Sequence, residues 1–325
     1  MDGHQQEGTE LLAAFADDAF LESHHRMHAA GALADLDGHR AQGAGLLAAF
    51  ANDPALDCHD RLGAAQALAG LDGYQEEAAG LLAALTTDPA LRGLHRVTAA
   101  GALARLDGHR VQGTGLLAAF ADNPTLHSYT RVTAAEALAG LGDERASGPL
   151  AAFADNPALD GFHRVTAAGA LARLDGHRAQ GAGRLAALAG NPALDGRDRV
   201  TSAQNLVDVV ATQETAELEG HREKAAVLLA ALAGNPALDE RERVRAAWNL
   251  ARLGDERAAG PLTAFANSPT LGSYERVGAA AALARMDGHR EEGVGLLVAF
   301  ADDSYSDICV EAAHALTELS EWGDG

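Results

Sequence analysis

Asn123-Pro124-Thr125-Leu126, followed after a short spacer by Arg131-Val132-Thr133-Ala134-Ala135-Glu136-Ala137-Leu138-Ala139-Gly140-Leu141, is the stretch that decides the fold. Proline cannot continue a helix, and it drives the residue before it out of the helical region, so a helix must end here. At 100° per residue, Ala134, Ala135, Leu138 and Leu141 fall within about 60° of one another, the apolar stripe of a second helix. The same signal recurs with its proline at Pro54, Pro89, Pro124, Pro157, Pro192, Pro236 and Pro269. Ala19 and Ser304 take the proline's place one step before and one step after. Nine units of two helices follow, all within a single repeat domain over 1–325.

Within a unit the first helix is a segment like Gln42-Gly43-Ala44-Gly45-Leu46-Leu47-Ala48-Ala49-Phe50. Asp57, Asp160, Asp195 and Asp239 stand where the second helix needs an N-cap, and Asp60, Asp198 and Glu242 three residues on complete a capping-box pattern. The Leu-Asp-Gly or Leu-Gly-Asp that follows supplies the glycine of a helix C-terminus. No stretch alternates with the period of a strand, so the chain reads as all-α.

Arg131 to Leu150, ending Gly142-Asp143-Glu144-Arg145-Ala146-Ser147-Gly148-Pro149-Leu150, resembles a HEAT-like repeat of the phycobilisome-lyase type, as does Arg243 to Leu262. The likeness spans nearly the whole chain and implies an α-solenoid, a right-handed superhelix of about nine HEAT-like hairpins. It departs from the family in two extra residues at most Asp-Gly-His-Arg turns and in a polar residue before the arginine. Such arrays mostly serve as binding scaffolds, so the resemblance implies a non-enzymatic protein- or peptide-binding scaffold. The alternative is a HEAT-like lyase or other ligand-positioning enzyme with a small-molecule pocket in its groove. HEAT-like di-iron hydroxylases carry repeated His-Glu dipeptides, which this chain lacks.

The formal net charge of −21, from 46 acidic against 25 basic residues, opposes nucleic acid and anionic membranes as partners. Cys58 and Cys309 make no disulfide framework, and no run of apolar residues is long enough to span a bilayer, so the expectation is a cytoplasmic protein. With Lys224 the only lysine and alanine abundant, the composition reads as coding bias of a GC-rich, bacterial genome. No cofactor is implied.

Opposite the apolar stripe lie the positions five before, two before and two after the central leucine, and these change from unit to unit. By resemblance they line the inner groove. Gln66, Arg105, Glu136, Arg173, Gln204, Arg245, Trp248, Arg252 and Arg285 are among them. A tryptophan amid Arg245, Arg252 and Arg285 has the composition of an interaction hot spot for an acidic peptide, with packing of Trp248 against the preceding irregular unit as the other reading.

Seven residues before the central leucine stands an arginine in eight units: Arg26, Arg61, Arg96, Arg131, Arg164, Arg199, Arg243 and Arg276. Near the buried stripe each needs an acceptor, so a structural ladder through aspartates or helix-end carbonyls is expected. His4, His39, His109, His177, His221 and His289 read as turn residues, one per layer and too far apart to share a metal. His24 and His28, at i and i+4, have no third ligand beyond Glu22, and no metal is assigned. The glycine pairs Gly43/Gly45, Gly113/Gly115, Gly181/Gly183 and Gly293/Gly295 inside first helices imply close interhelix approach. Cys58 stands beside His59 and Asp60, neighbours that repetition explains.

The step from Pro192 to Pro236 is longer than the others, and the irregular unit around 200–222 reads as a lengthened helix over Val210 to Glu217, a candidate binding edge. At the start, Met1-Asp2-Gly3-His4 enters mid-turn, so the chain reads as the repeat region of a longer protein, for instance a sensor attached to a signalling ATPase. The terminal unit 304–325, with Tyr305 and Trp322, reads as a true end.

Overall fold

The computed structural model describes residues 2–211, 216–302 and 308–321, and among these every regular element is helical. The chain divides into two compact units, 1–149 and 150–325. The first holds α1 (Asp2–Asp17), α2 (Ser23–Ala34), α3 (Arg40–Asn52), α4 (Cys58–Ala69), α5 (Gln75–Thr87), α6 (Gly93–Arg105), α7 (Arg110–Asp122) and α8 (Ser128–Gly140). The unit boundary falls in α9 (Ser147–Asp155). The second unit continues with α10 (Gly161–Arg173), α11 (Arg178–Ala189), α12 (Gly196–Ala211), α13 (Ala216–Ala233) and α14 (Glu240–Arg252). It ends with α15 (Ala259–Ala266), α16 (Ser273–Ala284), α17 (Arg290–Ala301) and α18 (Ile308–Glu321).

The odd helices from α3 to α13 turn at the Asn/Asp-Pro signal into the next even helix. The side chain before the proline closes the turn: Asn123 Oδ1 accepts from Thr125 N at 3.0 Å, and Asp53, Asp88, Asn156, Asn191 and Asn235 repeat the bond. Asp57, Asp160, Asp195 and Asp239 accept from N–H groups of the following first turn, and the full capping box forms at Asp239 and Glu242. After the even helix the chain reverses on a glycine at positive φ, such as Gly108 at 81° or Gly142 at 70°, where a side chain would be strained.

Even helices stack at every step within each unit, α2 on α4, α4 on α6 and α6 on α8, then α10 on α12 and so on to α18. Ala134, Ala135 and Leu138 and their counterparts in the even helices from α2 to α16 are buried and fill the interior. Each such leucine contributes about 1.5–3 kcal/mol of burial. Hairpins approach closely at Gly43, Gly113, Gly181 and Gly293, where an added Cβ would lie 2.3–2.4 Å from a backbone nitrogen of the preceding even helix.

Three details depart from the sequence reading. Gly3-His4 lies within α1, and His221 lies within α13, so neither is a turn residue. The lengthened unit is taken up by two helices, α12 of 16 residues and α13 of 18, with 212–215 outside the described residues. Met1, Ser304, Tyr305 and Trp322 also lie outside them.

Candidate functional site

All eight arginines of the ladder make one bond. Nε–H donates to the carbonyl ten residues earlier, in the last turn of the preceding odd helix: Arg26 to Ala16, Arg61 to Ala51, Arg96 to Thr86 and Arg131 to Ala121. In the second unit Arg164, Arg199, Arg243 and Arg276 reach Ala154, Ala189, Ala233 and Ala266. The distances run from 2.7 Å at Arg96 to 3.3 Å at Arg243. A cation at the start of its own helix opposes that helix's dipole, but here it caps the negative end of its neighbour and satisfies an orphan carbonyl. Guanidiniums also lie over a phenylalanine of the next hairpin, Arg26 on Phe50, Arg96 on Phe120, Arg243 on Phe265 and Arg276 on Phe300. Where the next hairpin offers Leu85 instead, Asp88 holds Arg61 at 2.8 Å. The half-buried ladder arginines thus tie the two helices of a hairpin together, and these five also reach the next hairpin.

The changeable face of the even helices is open in part. In the first unit Gln66 and Arg105 are exposed and Glu136 is half-buried. In the second, Arg173 is exposed, and cross-helix bonds hold most of the others. Arg245 donates to Gln204 Oε1 at 2.8 Å. Arg252 pairs with Asp208 at 2.8 Å and donates to Asn249 at 3.0 Å. Arg285 meets Glu318 at 3.1 Å. Trp248 departs from the expected exposed anchor: it is half-buried, its ring covering Gly278 and meeting Tyr274 edge-on at 6.4 Å. It packs toward the following hairpin, not the irregular one before it. Arg245, Trp248, Arg252 and Arg285 therefore do not converge on one point; each is engaged with a neighbouring helix.

Between α10 and α12 an open hollow of about 380 Å³ is lined by Gly169, Ala172, Arg173, Arg178, Asn205, Asp208 and Val209. Among the described residues, Glu22, His24 and His25 bring one ligand atom each within 4.8 Å of one another, so His25, not His28, joins His24 there. All three are exposed neighbours at the start of α2. Cys58 meets a histidine 37 residues away in the chain: Sγ lies 3.3 Å from His95 Nδ1, one hairpin on.

Charge at the even-helix starts is uneven. Backbone donors at the first turn hold the Asp57 and Asp160 carboxyls below the usual range. Burial, then the charges of Asp195 and Asp160, push Asp198 up; burial and then Asp239 do the same to Glu242. A carboxyl with a raised folded pKa contributes stability while protonated and loses it as pH rises through that value. Asp198→Asn is therefore expected to raise the melting temperature at pH 7, with the gain shrinking as pH falls into the carboxylate range. Melting curves across that range check it.

Among the described residues no helix is long and apolar enough to cross a membrane. No family model matches the chain, and no curated protein matches it. Among solved structures it is similar to importin beta, at 14% identity and a TM-score of 0.50, covering 96% of this chain and 46% of that one, so it spans less than half of importin beta. It is also similar to human deoxyhypusine hydroxylase in complex with glycerol, at 20% identity and a TM-score of 0.33, covering 86% of this chain and 96% of that one. The repeated hairpin and the likeness to importin beta together show the fold, a HEAT-like α-helical solenoid.

Proposed function

We propose that the chain is a non-enzymatic scaffold that holds a protein or peptide along the open face of its even helices. One observation carries this reading. Buried positions such as Ala134, Ala135 and Leu138 repeat from hairpin to hairpin, whereas the positions that carry Gln66, Arg105, Glu136, Arg173, Gln204, Arg245, Arg252 and Arg285 vary along the chain. Packing needs only the repeated positions; a face whose residues vary along the array supplies an address for one partner. Along the second unit this face carries both signs, through Arg173, Asp208, Arg252, Arg285 and Glu318. The proposed partner accordingly presents both acidic and basic groups, which exchange with the Arg252–Asp208 and Arg285–Glu318 pairs. Nucleic acid does not fit a net charge of −21. Within HEAT-like folds, the Arg131 to Leu150 motif favours a place beside the phycobilisome-lyase type.

A second reading, a ligand-positioning protein, rests on the hollow beside Arg173 and Arg178, whose volume falls in the small-molecule range.

The test is capture of a partner on immobilised protein. Joint Arg252→Glu and Arg285→Glu substitution is expected to abolish capture, and Glu77→Lys on α5 to leave it intact. Equal capture by both variants would refute the even-helix face as the binding surface.

A further inference from the structure

Neighbouring hairpins meet at a recurring pair of positions near the starts of successive even helices. The first residue of one helix faces the residue before the ladder arginine in the next. Ser23 Oγ donates to Asp60 there, and Cys58 meets His95. At the starts of α6, α10 and α12 the first position is a glycine close under the larger partner: Gly93 beneath Thr130, Gly161 beneath Asp198 and Gly196 beneath Glu242. Since a glycine suffices for the stacking, packing alone does not require a thiol against an imidazole.

We propose that Cys58 with His95 is a covalent modification site, a nucleophilic thiol that exchanges with low-molecular-weight disulfides. The pair is half-buried and is fixed from both sides. Asp57 caps α4 through the N–H groups of His59 and Asp60, at 2.8 and 2.9 Å, which sets Cys58 at the helix start. The His95 ring is carried by α6 and presents Nδ1 at 3.3 Å and Nε2 at 3.7 Å from Sγ. Negative charge that develops on Sγ as its proton leaves faces the positive end of the α4 dipole. In the step, the Sγ proton passes to the imidazole and Sγ attacks one sulfur of the small disulfide. A new S–S bond forms as the old one breaks, and the leaving thiolate takes the proton from His95 and departs as a thiol. No oxidant beyond the disulfide is consumed. The adduct must displace the His95 ring and so loosens the contact between α4 and α6. This inference is independent of the scaffold reading.

The probe is oxidised glutathione at pH 7, with mixed disulfide at each cysteine followed by peptide mass analysis. Cys309 serves as the internal reference. Cys58 in the folded protein is expected to react about tenfold faster than Cys309, and faster than Cys58 of the denatured chain. His95→Gln and His95→Thr, the latter copying the residue at Thr130, are expected to remove most of that advantage without changing the melting temperature. Reaction slower in the folded than in the denatured chain would overturn the proposal. So would an unchanged Cys58 rate in both His95 variants.

Discussion

Gly113→Ala is expected to destabilise the first unit by about 3 kcal/mol, at the upper end of overpacking costs. The added Cβ would stand 2.4 Å from Ala104 N and 2.5 Å from its Cα. Both are backbone atoms, so no side chain can swing away and α6 and α7 must separate. Gly115, two residues on in the same helix, has nothing within 4 Å of its added Cβ. Gly115→Ala is expected to stabilise by about 0.5–1 kcal/mol through helix propensity alone. Urea denaturation followed by amide exchange in α7 reads both. Equal signs for the two substitutions would contradict the packing described.

The second large effect is at Arg96. Replacing it with alanine removes the 2.7 Å bond to the Thr86 carbonyl and the guanidinium over Phe120. A hydrogen bond to a charged group contributes about 1.5–3 kcal/mol and a partly desolvated cation–π contact about 0.5–2 kcal/mol, so a loss of about 2–5 kcal/mol is expected. Arg96→Lys is expected to recover less than half of this. An ammonium lacks the planar face and the Nε–H that points along the helix end. The same pair of substitutions at Arg105, whose side chain is exposed, is expected to change stability by less than about 0.5 kcal/mol. Denaturation midpoints of the four variants test the contrast.

The helices were legible because their punctuation is local. Pro124, Gly108 and Asp57 act on their own backbone or on that of residues nearby, and a single sequence shows them directly. The alanine and leucine stripe was legible because a helix's buried side has a fixed period. The contacts between helices were harder to read. The ladder's acceptors are backbone carbonyls, which no side chain marks, although the constant spacing of ten residues from Arg131 back to Ala121 was available. The helical wheel sets Trp248 opposite the apolar stripe, yet its counterparts Gly101, Gly169 and Ala281 are buried by their neighbours. The sign of its burial was Gly278 in the next hairpin, a small residue opposite a large one. Cys58 was compared with its chain neighbours His59 and Asp60, whereas stacking brings it to His95, 37 residues away. The glycine pairs looked equivalent in sequence, yet Gly113 meets backbone and Gly115 meets nothing. In each case the missing information was the register between hairpins, which depends on how whole helices seat on one another.

The claim underlying both stability and function is that each even helix buries its repeated side and leaves its changeable side open. Single cysteines scanned through residues 62–70 of α4 and its C-cap, with Cys58 and Cys309 replaced by serine, test it most directly through their thiol-labelling rates. Fast labelling at positions 66, 67 and 70 and protection at 62, 64, 65 and 68 is the expected pattern. Protection at 66 with ready labelling at 65 and 68, or rates without helical period, would contradict it.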